Sequence, residues 1–206
     1  MTKKIYVTRH GQTEFNKLGI VQGSGVDSDL NDMGRAQADA FYQAYKDHPF
    51  QKLYVTELKR THQSMDGFIK AGLQHEIVGD LNEISWGIRE GIPVDEEGNA
   101  YYQSILDRWN QGETNIAIEG GESPDEVAIR TRRGMEYIVS QPEEHVLVCM
   151  HGRAMRIMLA KILNYPLSEM DKFGHENLCL YELEYTGSMF KVVRFCDTAH
   201  LTHLNA

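Results

Sequence analysis

The chain Ile5-Tyr6-Val7-Thr8 runs straight into Arg9-His10-Gly11, and His145-Val146-Leu147-Val148-Cys149-Met150 runs straight into His151-Gly152-Arg153. Short apolar runs rich in β-branched residues read as strands buried on both faces, the pattern of a parallel sheet covered by helices. In such sheets ligands bind beyond the carboxyl ends of the strands, which is where both His-Gly pairs fall. A third run, Lys52 to Val55, leads through Thr56 into a segment carrying Arg60. Thr56 is placed to cap a helix there, with Arg60 in the first turn. Arg9, His10, Arg60 and His151 are therefore expected on one edge of one sheet.

The remaining periodicities predict strand 3–8, helix 33–46, strand 52–55, helix 57–70, strand 75–79, helix 99–111, helix 124–140, strand 145–150 and helix 153–163, then strands 178–185 and 189–195. Ser123-Pro124-Asp125-Glu126 is a capping box with proline at the first helical position. Thr186-Gly187-Ser188 reads as a hairpin turn. The fold class expected is α/β: a mostly parallel central sheet with helices on both faces and an antiparallel edge hairpin near the C-terminus. Residues 1–206 are expected to form one domain, a length that buries roughly 70% of the unfolded surface without staples. Residues 84–121 break the strand–helix rhythm and carry Trp86, Arg89, Tyr101, Tyr102 and Trp109, so they are expected to be a lid or specificity excursion.

Arg9-His10-Gly11-Gln12-Thr13-Glu14 with Asn16, Gln22-Gly23, Leu58-x-Arg60-x-x-Gln63-Ser64, Leu81-x-Glu83, Gly120-Gly121-Glu122-Ser123 and His151-Gly152 occur in that order. Together they resemble the histidine phosphatase superfamily, the branch of the cofactor-dependent phosphoglycerate mutases and many small phosphatases. The resemblance runs from residue 5 to about residue 156. It implies phosphoryl transfer through a phosphohistidine, a phosphoglycerate mutase-like fold, and no cofactor or metal.

Phosphoryl transfer needs an in-line nucleophile, positive donors for the equatorial oxygens and a proton for the leaving group. His10 fits the nucleophile if one ring nitrogen is free and a backbone carbonyl holds the other. Arg9 and Arg60 fit bidentate donors. His151, if protonated, adds a third cationic contact. Asn16 and the backbone of Gln22 and Gly23 are further expected donors, and Gly152 lets the chain approach the substrate. Glu83 is the candidate general acid, a role that requires partial burial or nearby negative charge, and Glu14 is its rival. A tyrosine-phosphatase reading of Cys149 fails because Met155 stands where that loop needs arginine.

The mutases carry Glu-Arg-His-Tyr-Gly where this chain has Glu83-Ile84-Ser85-Trp86-Gly87, and a downstream basic set where it has the acidic Asp95-Glu96-Glu97. That difference favours a phosphomonoester hydrolase over a mutase. A non-catalytic phosphate-binding module is the third reading, and it leaves Glu83 without a purpose.

The formal charge of −9 excludes a nucleic-acid footprint, and no apolar run reaches the roughly 20 residues of a membrane span. The expected partner is a small phosphorylated substrate, with the chain a cytoplasmic monomer or homodimer. Cys149, Cys179 and Cys196 lack CxxC spacing and read as reduced core residues. His200-x-x-His203 and Arg156 receive no role.

Overall fold

Alternation of side chains along three strands explains how the molecule is layered. The computed structural model describes residues 2–93 and 95–204. In β1 (Lys3–Arg9), Ile5 and Val7 point into one apolar cluster while Tyr6 points into another. In β4 (His145–Met150), Val146, Val148 and Met150 join the first cluster, and Leu147 and Cys149 join the second. In β2 (Lys52–Val55), Tyr54 faces the first cluster and Leu53 and Val55 the second. This period of two means that both faces of the sheet are buried, so the runs look uniformly apolar in sequence.

The sheet has six strands in the order β3-β2-β4-β1-β5-β6, completed by β3 (His75–Ile77), β5 (Leu180–Tyr185) and β6 (Phe190–Asp197). β1, β2, β3 and β4 run parallel, whereas β5 pairs antiparallel with both β1 and β6. The expected class is what forms, including the antiparallel edge. Helices α6 (Pro124–Ser140) and α7 (Gly152–Ile162) cover the first cluster through Val127, Met135, Ile138, Met155, Met158 and Leu159. Helix α2 (Asp32–Tyr45) covers the second through Ala40 and Phe41.

The structure departs from the expected elements in places. The helix expected at 57–70 is two, α3 (Lys59–Ser64) and α4 (Asp66–Lys70), with Met65 at the junction. Thr56 does not cap α3 at its N-cap position; Leu58 stands there without a side-chain cap bond. A short helix, α1 (Glu14–Leu18), was hidden by its length, although Thr13 and Asn16 form a reciprocal capping box at its start.

The capping box at Ser123 is present as expected. Helix α5 (Glu96–Asn110) begins three residues before the expected 99. The acidic stretch Asp95-Glu96-Glu97 is its cap and first turn: Asp95 accepts from Gly98 N–H, and Glu96 and Glu97 lie at the positive end of the helix. Within the excursion Trp86 stacks on Trp109 at 5.6 Å between ring centroids. Among the described residues no helix is long and apolar enough to cross a membrane.

Candidate active site

Register brings the two His-Gly motifs together. Arg9 lies opposite Met150 in the β1–β4 ladder, and His10 N–H donates to the Met150 carbonyl at 3.0 Å. The next residues on both strands are therefore neighbours, and the His10 and His151 rings sit 5.2 Å apart. Ser64 Oγ, on α3, accepts from Gly11 N–H at 2.8 Å and ties the first motif to the helix that carries Arg60.

His10 is 2% exposed, and its Nδ1 lies 2.7 Å from the Gly11 carbonyl. A carbonyl only accepts, so Nδ1 carries the proton and Nε2 keeps its lone pair. Burial, then the charges of Arg60 and Arg9, hold His10 well below the ordinary histidine pKa, so the ring is neutral. Among the described residues no hydrogen bond engages Nε2.

His151 differs from the expected cation. It is 0% exposed, and burial, Arg60, His10 and Arg9 all push its pKa far down. Arg60 Nε–H donates to its Nδ1 at 3.2 Å, which leaves the proton on Nε2 for Thr56 Oγ1 at 2.8 Å. His151 is thus a neutral link between Thr56 and Arg60. Thr56 was missed in this role because its side chain was read as a helix cap.

Arg60 is also fully buried. Its Nη1 donates to the Val26 carbonyl at 2.6 Å and Nη2 to the Gly23 carbonyl at 3.2 Å. Burial lowers its pKa to about 10, which keeps it charged at neutral pH. Gly23 therefore supports Arg60 through its carbonyl, in place of the substrate-facing backbone donor expected. Arg60, His151 and Gly23 form a layer behind the cleft.

The cleft itself, about 340 Å³, is lined by Arg9, His10, Asn16, Gln22, Glu83 and Gly152 among others. Arg9 Nη1 donates to the His175 carbonyl at 2.6 Å, while its buried Nε has no partner. Asn16 Oδ1 accepts from Thr13 N–H and Asn177 Nδ2, which leaves its amide NH₂ as the donating end. Gln22 Oε1 accepts from Thr13 and Ser28, so its carbonyl is committed to the loop. Gly152 packs where a Cβ would meet the His175 ring at 2.8 Å and Arg9 Nε at 3.2 Å.

Glu83 is 6% exposed. Its Oε1 accepts from Ile84 N–H and Ala154 N–H, and Oε2 from Arg153 N–H, at 2.8–3.1 Å. It is buried, and the three donors that hold its carboxylate are backbone amides. Its rival Glu14 is exposed, paired with Lys17. Asn177 lines the cleft, its Nδ2 donating to the His10 carbonyl at 2.9 Å, and Arg153, given no role from the sequence, joins Trp86, Arg89 and Tyr102 of the excursion in one wall. His175 lines the cleft as well. Arg156 pairs with Asp171 outside it.

Residues 5–198 match the sequence profile of the histidine phosphatase superfamily, branch 1. The chain belongs to that superfamily. It is 27% identical over 200 residues to phosphoserine phosphatase 1 of Hydrogenobacter thermophilus, covering 96% of this chain and 94% of that one. It is 27% identical over 190 residues to a probable phosphoglycerate mutase of Photorhabdus laumondii, covering 90% and 86%. The fold superposes on a mycobacterial glucosyl-3-phosphoglycerate phosphatase with a TM-score of 0.82 at 22% identity, over 96% of this chain and 100% of that one.

Proposed function

We propose that the protein hydrolyses phosphomonoesters of small metabolites through a phosphohistidine on His10. The observation that carries this reading is the pinned neutral imidazole: Nδ1–H is held by Gly11, and Nε2 is left with its lone pair. Nε2 attacks phosphorus, the N–P bond forms, and the P–O bond to the leaving alcohol breaks. Glu83 gives its proton to the departing alkoxide. A water then attacks the phosphohistidine, Glu83 takes the water's proton, and breaking the N–P bond releases inorganic phosphate and neutral His10.

Arg9 stabilises the equatorial oxygens from the cleft wall with Asn16 donating from the side, and Arg60, whose Nη1 and Nη2 each keep a second N–H beyond their bonds to Val26 and Gly23, adds its charge from the layer behind. His151 acts through Arg60, orienting its guanidinium. Relatives named for phosphoserine and for phosphoglycerate support a small phosphorylated acid as substrate. Trp86, Arg89, Ile92, Asn99 and Tyr102 of the excursion form the wall that selects it. Three free thiols fit a reducing cytoplasm.

Phosphate release from a panel of phosphorylated metabolites tests the reading: turnover that disappears in His10→Ala supports it. No release from any ester by the wild type contradicts it. The mutase alternative is carried by the mutase-named relative. Phosphorus NMR of 3-phosphoglycerate separates the two, since hydrolysis gives inorganic phosphate and a mutase gives the 2-isomer.

A further inference from the structure

The last two strands are joined by an irregular ladder, and the irregularity falls on a pair of cysteines. Leu180 of β5 pairs with Asp197 of β6, and the next pair is Glu182 with Arg194. Tyr181 therefore stands opposite both Phe195 and Cys196, a β-bulge, and Cys196 takes a φ of 43°. A non-glycine residue in that left-handed region is held there by its surroundings, and a bulge re-aims the side chain it carries. Cys196 is turned onto the apolar cluster that contains Cys179, the residue directly before β5. The two cysteines are unbridged, and their thiols are hydrogen-bond partners. Neither has a part in phosphoryl transfer.

Cys196 Sγ is also the peg on which a segment of the cleft rests. Glu176 N–H donates to it, and a Cβ built on Gly174 would meet it at 2.6 Å. Cys179 N–H closes the same segment by donating to the Glu176 carbonyl at 3.1 Å. Residues 174–179 thus begin against one sulfur and end at the other. Between them lie three ties to the nucleophile strand. The His175 carbonyl accepts from Arg9 Nη1 at 2.6 Å, Asn177 Nδ2 donates to the His10 carbonyl at 2.9 Å, and Leu178 N–H donates to the Arg9 carbonyl at 3.1 Å. The thiols themselves are unequal. Cys196 is half-buried, and the bond from Cys179 lowers its pKa. Cys179 is buried, and the bond to Cys196, then burial, raises its pKa. Oxidants attack the thiolate, so Cys196 reacts first and Cys179 is its resolving partner. Cys149 is fully buried and its thiol is pushed up by burial, so it is expected to stay reduced.

We infer that Cys179 and Cys196 form a peroxide-oxidisable dithiol whose disulfide displaces the 175–177 segment from the active site. The Cys196 thiolate attacks one oxygen of hydrogen peroxide, the O–O bond breaks, and hydroxide leaves a sulfenic acid on Cys196. The Cys179 sulfur then attacks the Cys196 sulfur, the S–OH bond breaks, and the departing hydroxide takes the Cys179 proton as water. The thiols give up two electrons, and the peroxide is reduced to water and a hydroxide that takes up the proton Cys196 gave to solvent. Joining the sulfurs draws Cys196 away from Gly174 and Glu176, so the segment loses its peg and Arg9 and the His10 backbone lose their ties. A displacement of about 1 Å in such positioning groups costs about 100-fold in rate. A dithiol reductant reverses the step.

The test treats the whole protein with hydrogen peroxide and reads the product by intact mass and peptide mapping. The expected product has lost two hydrogens and carries a crosslink between the Cys179 and Cys196 peptides, which dithiothreitol removes. On oxidation kcat/KM for a phosphomonoester is expected to fall at least about tenfold, and to return on reduction. Cys196→Ser and Cys179→Ala are each expected to form no crosslink and to keep wild-type kcat/KM before and after peroxide. Calorimetry of inorganic phosphate binding provides an arm that needs no turnover: affinity is expected to weaken in the oxidised wild type and to hold in both treated variants. That weakening, together with the crosslink, supports the inference even if no ester is hydrolysed and the phosphatase reading falls. It is overturned by a wild type that forms no crosslink, or by a crosslinked protein whose turnover and phosphate affinity are unchanged. Variants as sensitive to peroxide as the wild type overturn it equally.

Discussion

At the scale of single residues, the site is built from groups whose charge is decided by burial. His10 and His151 are neutral because desolvation and two arginines oppose their protonation. The nucleophile is therefore ready well below pH 6.5, and kcat/KM is expected to stay flat on the acid side of neutrality until groups other than His10 titrate. An acid limb with an apparent pKa near 6.5 would assign an ordinary exposed histidine to the step. Glu83→Gln should lower kcat by roughly 10²–10⁴ for alkyl phosphates and far less for an aryl phosphate, whose phenolate departs unprotonated. Equal losses on both would remove Glu83 from the acid role. Arg60→Lys keeps the charge but cannot span His151 Nδ1, Gly23 and Val26 at once. Its barrier should rise by about 2–4 kcal/mol, by analogy with loss of an oxyanion donor, and mainly in kcat. Near-wild-type turnover in Arg60→Lys would place Arg60 outside the reaction.

At the scale of elements, the site is a consequence of strand order. β4 inserts between β2 and β1, so Thr56, His151 and His10 end up side by side at three adjacent strand ends. That much was legible, because strand ends followed by His-Gly announce where ligands gather, and α6 was read to the residue because Ser123 and Pro124 mark its start. The break at Met65 was not legible: Lys59 to Lys70 carries no proline or internal cap signal apart from Gly67, and only packing divides it. The layer of Arg60 and His151 behind the cleft was equally invisible, since sequence shows that an arginine is near a strand end and not which carbonyls hold it. Arg89 was read as part of the excursion, but the purpose of Asp95 to Glu97 was not legible: those carboxylates serve the start of α5. Gly152 joins β4 to α7 at a point with no room for a side chain. Gly152→Ala forces Arg9 or His175 to move, so kcat/KM is expected to fall at least about tenfold, with a stability loss of about 1–3 kcal/mol from overpacking. Unchanged kinetics in Gly152→Ala would show that Arg9 need not hold its observed position.

At the scale of the whole molecule, the buried neutral histidines make stability depend on pH. His10 and His151 have folded pKa values far below the ordinary 6.5, so below pH 6.5 the unfolded chain binds protons that the folded one refuses. Folding is therefore destabilised as pH falls through 6.5 and is insensitive to these groups above it. Two such residues give a loss of about 2 kcal/mol between pH 6.5 and 5.5, measurable by denaturant melts. A stability flat across that window would mean that these rings are protonated in the fold. The central claim is that this sheet exists to present one imidazole nitrogen to phosphorus. Rapid quenching during turnover of ³²P-labelled substrate, without acid, followed by peptide mapping, tests it most directly. Label on the peptide containing His10 in the wild type, and none in a folded His10→Ala variant, is the predicted result; label absent from the wild type during turnover, or retained by the variant, would contradict it.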